Sequence, residues 1–198
     1  MAARERDETV RAAWREAVIA LSNDRLVFVD ESGTNIGMTP RYGRAPRGAR
    51  AHGIAPRNTG KNTTLLAALM PEGVHAAMVI EGATDTAVMT AFVAEVLVPR
   101  LTPGQVVVWD NLSVHKASRL AAMIEACGCR VLFLPPYSPD FNPIELAFSK
   151  IKTALRQLET RTLDALWQAI GRLLSMITAA DVQGWYRHCG YALDGLSM

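Results

Sequence analysis

The sequence has 198 residues, of which 49% are hydrophobic and 20% charged, with a formal net charge of +2. This composition is typical of a globular domain, and a chain of this length can fold without disulfides or structural metals. No apolar run approaches the roughly 18 residues that a membrane-spanning helix needs, and the first residues mix acids and bases where a signal peptide is apolar. These features exclude secreted and membrane proteins. The three cysteines, Cys127, Cys129 and Cys189, lack zinc-site spacing and are predicted to be free thiols of a reducing cytoplasm.

The first half of the chain is predicted to contain one helix followed by strands. Apolar residues recur at helical spacing over residues 8–21. The run RLVFVD at residues 25–30 has the pattern of a buried strand whose carboxylate emerges at its end. The Gly- and Pro-punctuated stretch through residue 61 gives only a weak strand pattern. Residues 63–70 and 74–80, joined by Pro-Glu-Gly, predict a β-hairpin.

The second half is predicted to alternate helices with strands. Thr84 can cap a helix, and QVVVWD at residues 105–110 is a second buried strand that ends in an acid. A helix over residues 115–127 precedes a third apolar strand at residues 130–135. Further helices are expected from Pro143 and over residues 162–178 and 181–189. This order predicts an α/β fold with a mixed sheet flanked by helices.

We predict three consecutive parts of one globular unit. Residues 1–24 are a helical lead-in, residues 25–160 the α/β core, and residues 161–198 helices that pack on that core. Apolar residues between Leu163 and Ile177 recur at helical spacing. Such a stripe is typical of core packing, and a dimer surface is the alternative.

Three acidic residues stand where the predicted elements begin or end. Asp30 and Asp110 each end a buried strand, and ligands of open α/β sheets gather at the carboxyl ends of strands. An Asp at this position is also common as a turn residue. Glu145 begins a helix, where Asn142 as N-cap and Pro143 as the first helical residue would make it part of a capping box.

The helix that begins near Glu145 has a polar face that the capping box does not explain. Ser149, Lys152 and Arg156 follow Glu145 on that face, where a phosphate backbone could run past the acid. Three convergent carboxylates repel one another unless cations lie between them. A pair of Mg²⁺ or Mn²⁺ ions about 3.5–4 Å apart resolves this repulsion and suits attack on a phosphodiester. The lack of a His cluster argues against zinc and copper.

The segment of residues 41–61, here called the basic segment, is rich in cations. It contains His52 and no acidic residue. A surface that carries this segment would attract phosphates, and a solvated flexible loop is the alternative. Its cations are Arg41, Arg44, Arg47, Arg50, Arg57 and Lys61.

Three motifs resemble the catalytic core of DDE transposases of the bacterial insertion-sequence type, in the mariner superfamily. They are LVFVDESG around Asp30, VVVWDNLSVHKA around Asp110 and LPPYSPDFNPIELAFSKIK around Glu145. The PPYSPDFNPIE string is the most specific part of the resemblance. The stretch YGRAPRG at residues 42–48 is similar to the family's sequence after its first Asp. The likeness covers about residues 10–160, which is most of the chain.

The resemblance implies a ribonuclease-H-like (retroviral-integrase) fold and a metal-dependent polynucleotidyl transferase. The expected reaction is DNA cleavage at transposon ends, followed by transfer of the 3′-hydroxyl into target DNA, typically at a TA dinucleotide. Asp30, Asp110 and Glu145 match the catalytic residues and the ligands of two Mg²⁺ or Mn²⁺ ions. Glu31 and Asn111 match supporting positions. Predicted DNA contacts are the six cations of the basic segment, Lys152, Arg156 and His115, for which helix capping is the alternative.

The resemblance also bears on partners. Members of the family usually carry helix-turn-helix units ahead of the catalytic core, and no recognition helix fits before the strand of Asp30. We therefore expect either a separately encoded or frameshift-joined DNA-binding half, or a truncated copy. The expected partners are transposon-end and target DNA and a second copy of the chain, in a bacterial cytoplasm at the nucleoid. The alternative function is an inactive remnant that regulates by binding DNA or by dimerising.

Overall fold

The computed structural model describes residues 6–19, 21, 25–110 and 114–191, and a five-stranded sheet forms its centre. The strands are β1 (Leu26–Thr34), β2 (Thr63–Met70), β3 (Gly73–Glu81), β4 (Val106–Trp109) and β5 (Arg130–Phe133). Their order in the sheet is β3-β2-β1-β4-β5. The pairs β1–β2 and β2–β3 are antiparallel, whereas β1–β4 and β4–β5 are parallel. The predicted mixed sheet and the predicted β2–β3 hairpin are therefore confirmed.

Six α-helices among the described residues surround this sheet. They are α1 (Glu8–Ile19), α2 (Thr86–Ala91), α3 (Val114–Glu125), α4 (Ile144–Leu158), α5 (Leu163–Ser175) and α6 (Ala179–His188). The π-helical turn Phe92–Leu97 and the 3-10 turn Val98–Arg100 continue α2 without a break. The expected cap of α2 was wrong by one residue, because the carboxylate of Asp85, not Thr84, accepts the N–H of Val88 at 2.8 Å. No helix in the described part of the chain is both long and apolar enough to cross a membrane.

The sheet separates two apolar layers. Successive side chains of a strand point to opposite faces, so Leu26 and Phe28 of β1 enter one layer and Val27 and Val29 the other. The first layer is completed by side chains of α1, α4, α5 and α6, and the second by those of α2, its π-helical continuation and α3. Burial on both faces explains why β1 and β4 begin as uninterrupted apolar runs.

The C-terminal helices α5 and α6 belong to the first layer. Leu166 and Ile170 of α5 are fully buried, whereas Trp167 on the same helix is 39% exposed. Tyr186 of α6 is also fully buried, and its hydroxyl donates to the backbone oxygens of Leu26 at 2.8 Å and Leu69 at 3.3 Å. These bonds attach α6 to strands β1 and β2.

Strand β1 is longer than the sequence predicted, and Asp30 lies inside it rather than at its end. Residues 26–29 pair with β4 on one side, and β4 stops at Trp109. The strand continues to Thr34 because β2 still pairs with it on the other side, with Asp30 opposite Ala67. Asp30 is thus the first residue beyond the parallel pair. The weak strand pattern after Thr34 does not produce a strand, since residues 35–62 contain neither helix nor strand.

Candidate active site

A cleft of about 240 Å³ brings together the three acids that the sequence singled out. Asp30 comes from β1, Asp110 follows the last residue of β4, and Glu145 lies in the first turn of α4. The remaining wall is formed by residues 134–139 and Asn142. They belong to the segment of residues 134–142, here called the Pro-rich loop, which precedes α4. Residues that are distant in sequence therefore share one open, solvent-accessible site.

The parallel pairing of β1 and β4 explains why the two aspartates are neighbours. Val29 is paired with Trp109, and the next residue in each strand is an aspartate. Both side chains therefore leave the sheet at the same edge. The Pro-rich loop begins beside them, because the N–H of Leu134 donates to the backbone oxygen of Trp109 at 2.7 Å. The loop then returns Glu145 to this edge at the start of α4.

The cleft is electrostatically unfavourable for several unprotonated acids. Burial raises the pKa of Asp30 to about 7, and the negative charges of Glu145 and Asp110 add to this effect. The backbone N–H of Glu31 opposes it by donating to Oδ1 of Asp30 at 2.7 Å. Desolvation by the cleft walls, together with the charge of Glu31, also raises the pKa of Asp110. A bound cation would relieve this repulsion.

The side chain of Asn142 contacts Asp30 and does not cap α4. Its Nδ2 donates to Oδ2 of Asp30 at 2.8 Å. Pro143 occupies the N-cap position, where no side chain caps the helix. The capping-box interpretation of Glu145 is therefore wrong. The physical reason is that capping requires Oδ1 of Asn142 to accept an N–H of the first helical turn, and no described group donates to that atom.

Of the residues predicted to support the site or to contact DNA near it, the structure describes the side chain of Glu31 but not those of Asn111 and His115. Glu31 is exposed and contributes its N–H and its charge to the two aspartates. Asn111 lies outside the described residues. His115 lies in the first turn of α3, and the described part of the structure does not include its side chain.

The Pro-rich loop is fastened to α1 through Phe141, which sequence reasoning missed. The ring of Phe141 stacks on Trp14 with 5.4 Å between centroids, and the guanidinium of Arg11 lies 3.9 Å from its centroid. Arg11 is only 1% exposed, and its two terminal nitrogens donate to the carboxylate of Asp140 at 3.0 and 2.6 Å. The hydroxyl of Tyr191 donates to the backbone oxygen of Phe141 at 2.6 Å. The sequence contains one indication of these contacts, since Arg11 falls on the same face of the predicted helix as Trp14.

The basic segment is, by contrast, on the surface. All six of its predicted DNA-contacting cations are exposed, and Tyr42 and Ile54 are 92% and 95% exposed. Nζ of Lys61 forms an ion pair with Glu81 at 2.8 Å. Arg161 attaches the preceding residues by donating to the backbone oxygens of Ile36 and Met38. The segment therefore presents positive charge to solvent.

Two further predicted DNA contacts lie on α4. Lys152 and Arg156 are partly exposed, on the side of the helix that begins with Glu145. Because they follow Glu145 at intervals of about two and three helical turns, they continue one polar side from the cleft outward.

The donor set of the cleft fits hard divalent cations. In residues 6–19, 21, 25–110 and 114–191, no three His, Cys, Asp or Glu side chains form a preformed metal cage. Asp30, Asp110 and Glu145 nevertheless line the same cleft with carboxylate oxygens, which Mg²⁺ and Mn²⁺ prefer. The Oδ1 atom of Asn142 is buried there and has no hydrogen-bond partner among the described residues. We conclude that the residues present suit such ions.

The comparisons with solved structures identify the fold. The mariner Mos1 paired-end complex with Mg matches with a TM-score of 0.74 and 16% identity, over 96% of this chain and 62% of that one. A pre-cleavage Mos1 transpososome matches with a TM-score of 0.68 and 15% identity, over 92% and 56% of the two chains. The catalytic domain of Mos1 mariner transposase alone matches with a TM-score of 0.59 and 14% identity, over 92% and 82%. The predicted ribonuclease-H-like fold is confirmed.

The comparison with sequence profiles of protein families identifies the family of this chain. The chain spans little more than half of the Mos1 protein in the transpososome. No curated protein sequence matches it. The sequence profile of the DDE superfamily endonucleases matches residues 25–167, which include all three acids of the cleft. Since that match covers well over half of the chain, this protein belongs to the DDE superfamily endonucleases.

Proposed function

We propose that the chain is the catalytic domain of a DDE transposase, which cleaves DNA at transposon ends and joins the 3′-hydroxyl to target DNA. The observation that carries this proposal is the shared cleft of Asp30, Asp110 and Glu145 in a member of an endonuclease family. The fold shared with the Mos1 transposase structures supports it. An inactive remnant is the less favoured alternative, because nothing in folding stability favours three repelling acids in one cleft.

In this proposal Asp30, Asp110 and Glu145 would hold two Mg²⁺ or Mn²⁺ ions. The ions, when bound, activate a water or a 3′-hydroxyl and stabilise the leaving oxygen. Asp30 is the half-buried ligand, held at one oxygen by the N–H of Glu31 and at the other by Asn142. Asp110 and Glu145 are exposed, so their carboxylates are free to adjust as the ions and the phosphodiester enter.

The DNA backbone is proposed to follow the positive surface outside the cleft. Lys152 and Arg156 extend the polar side of α4 away from Glu145, and the basic segment adds exposed cations. Contacts of this kind attract DNA without reading its sequence, and they weaken as salt is added. Recognition of transposon ends is proposed to depend on a DNA-binding unit other than this catalytic domain, and the active species on DNA is proposed to be a homodimer.

The test is nicking of supercoiled plasmid by the purified chain with Mg²⁺ or Mn²⁺. We expect Asp110→Asn and Glu145→Gln to abolish cleavage, because each removes a charged ligand. Asp164→Asn is the matched control, since Asp164 is an exposed acid in the first turn of α5. Cleavage that survives both cleft substitutions would refute the proposal, as would loss of cleavage in all three variants while each remains folded.

A further inference from the structure

Asn142 joins two parts of the cleft that are far apart in the chain. It is 4% exposed, and its Nδ2 donates to Oδ2 of Asp30, which lies 112 residues earlier, at 2.8 Å. The amide nitrogen, which is the donor of the side chain, is thus the atom that faces Asp30. The amide oxygen therefore points to other partners. No group in the described part of the chain donates to this buried oxygen, although Asn142 lines the open cleft.

The backbone of Asn142 is held independently of its side chain. Its N–H donates to the backbone oxygen of Pro139 at 3.0 Å, and its carbonyl accepts the N–H of Glu145 at 3.2 Å. Its neighbour Phe141 is 1% exposed and Ile144 is fully buried. A substitution of the side chain thus removes its polar contacts while the loop and the start of α4 keep theirs.

A purely structural role does not account for this arrangement. Asparagine before a helix normally caps it, but α4 begins without any side-chain cap. A buried amide oxygen without a donor destabilises the folded state. Such an atom at the wall of an active cleft is expected where a ligand or a bound water supplies the missing hydrogen bond.

We propose that Asn142 is a positioning residue for the metal site. Its Nδ2 holds the carboxylate of Asp30 in one orientation within the cleft where a divalent ion would bind, while its buried Oδ1 would accept a hydrogen bond from a donor that enters with the ion. The amide does so without adding negative charge to a cleft that already contains three acids. This inference rests on the proposed function, because it concerns the ions that the three carboxylates would hold.

The expected consequence is a loss of metal affinity. Groups that orient metal ligands typically contribute about 10–100-fold to affinity or activity. We therefore expect Asn142→Ala to raise the Mn²⁺ concentration at half-maximal effect by about 10-fold or more. The rate at saturating Mn²⁺ should fall less, since excess metal can still fill a poorly oriented site.

Two measurements on the full chain test this expectation. The first is the melting temperature as a function of Mn²⁺ concentration without DNA, because an ion that binds only the folded chain raises it. The midpoint of this measurement is defined as the Mn²⁺ concentration at which the rise begins, which the dissociation constant sets. The second is the Mn²⁺ concentration that gives half-maximal nicking of plasmid, with the rate at saturation. Asn142→Leu accompanies Asn142→Ala, since leucine keeps the branching of asparagine without its polar atoms and guards against failure to fold through reduced volume.

The control is Thr34→Val. Thr34 is also 4% exposed and lies in β1, where its hydroxyl donates to the backbone oxygen of Thr63 at 3.3 Å. This variant loses a buried hydrogen bond at the end of β1, the strand that also contains Asp30. It should therefore lower the melting temperature without changing the Mn²⁺ midpoint. The inference is supported if the two Asn142 variants alone move that midpoint in both measurements.

The outcomes separate this inference from the proposed function. A wild-type chain that is stabilised by Mn²⁺ with the same midpoint as a folded Asn142 variant overturns the role of Asn142 and leaves the proposed function standing. A wild-type chain that neither responds to Mn²⁺ nor cleaves DNA overturns both. A decrease in saturating rate with an unchanged midpoint also contradicts a positioning role toward the metal.

Discussion

The Pro-rich loop and the basic segment have similar turn-rich sequences but are held in opposite ways. The Pro-rich loop is fixed by Phe141 in the core, by the ion pair of Asp140 with Arg11, and by Asn142 on Asp30. The basic segment is exposed along nearly its whole length. The difference reflects two tasks: geometry for chemistry requires buried contacts, whereas attraction of phosphate requires only accessible charge.

The largest difference in stability between the two regions is expected when an aromatic residue of each is replaced. Phe141→Ala removes a ring that is 1% exposed and stacked on Trp14, so we expect the free energy of unfolding to fall by about 3–5 kcal/mol. Tyr42→Ala, at a side chain that is 92% exposed, should change it by less than about 0.5 kcal/mol. Urea unfolding of both variants measures the contrast. Equal decreases would show that the basic segment is also packed.

The charge of Asp30 adds a pH-dependent cost to the cleft beside the Pro-rich loop. Its pKa is about 7 in the folded chain, whereas an unfolded Asp has a pKa of about 3.9. The native state therefore binds more protons between these values. The stability that this provides is complete below about pH 4 and is lost as the pH rises through about 7.

Asp30→Asn should remove this dependence. Without added metal, the variant should gain up to about 4 kcal/mol in free energy of unfolding over wild type as the pH rises from 4 to 8. The control Asp164→Asn lies on an exposed surface and should follow the wild-type profile. The measurement is urea unfolding across this range in the presence of EDTA. A constant difference between Asp30→Asn and wild type would contradict the buried, repelled carboxylate.

The ion pair of the Pro-rich loop should have a smaller effect. Arg11→Met keeps the apolar part of the side chain but removes two hydrogen bonds to Asp140. Because Asp140 is 46% exposed, water can replace part of the interaction, and we expect a decrease of about 2 kcal/mol in the free energy of unfolding. Arg41→Met in the basic segment is the matched control, and it should leave the free energy of unfolding in urea unchanged. A decrease below about 0.5 kcal/mol for Arg11→Met would show that α1 does not hold the loop.

The smallest effect on stability is expected in the basic segment itself. Replacing Arg44, Arg47 and Arg50 together by Gln should leave the free energy of unfolding nearly unchanged, because all three are exposed. Plasmid DNA binding should weaken at low salt. The dependence of log affinity on log salt should become shallower by about 1 for each phosphate that an arginine no longer neutralises. An unchanged salt dependence would show that these arginines of the basic segment do not contact DNA.

Most of the secondary structure was predictable because it depends on local patterns. The apolar runs that end at Asp30 and Asp110 reveal buried strands, and the turn at Pro71 reveals the hairpin. The Pro-rich motif around Glu145 allowed the third acid to be assigned by resemblance. The precise ends of elements were less predictable, as β1 shows, because pairing with β2 extends it beyond its own apolar pattern.

Local patterns in the sequence were sufficient to predict the order of strands and helices, the mixed α/β class and the three acids of the cleft. Each of these follows from hydrophobic periodicity or from a contiguous motif. The contacts of Asn142 with Asp30 and of Arg11 with Asp140 became visible only in the folded chain, because each joins residues more than a hundred positions apart. The physical reason is that a side chain bonds to the best partner that folding brings within reach. For the amide nitrogen of Asn142 that partner is the carboxylate of Asp30, which no local pattern in the sequence indicates.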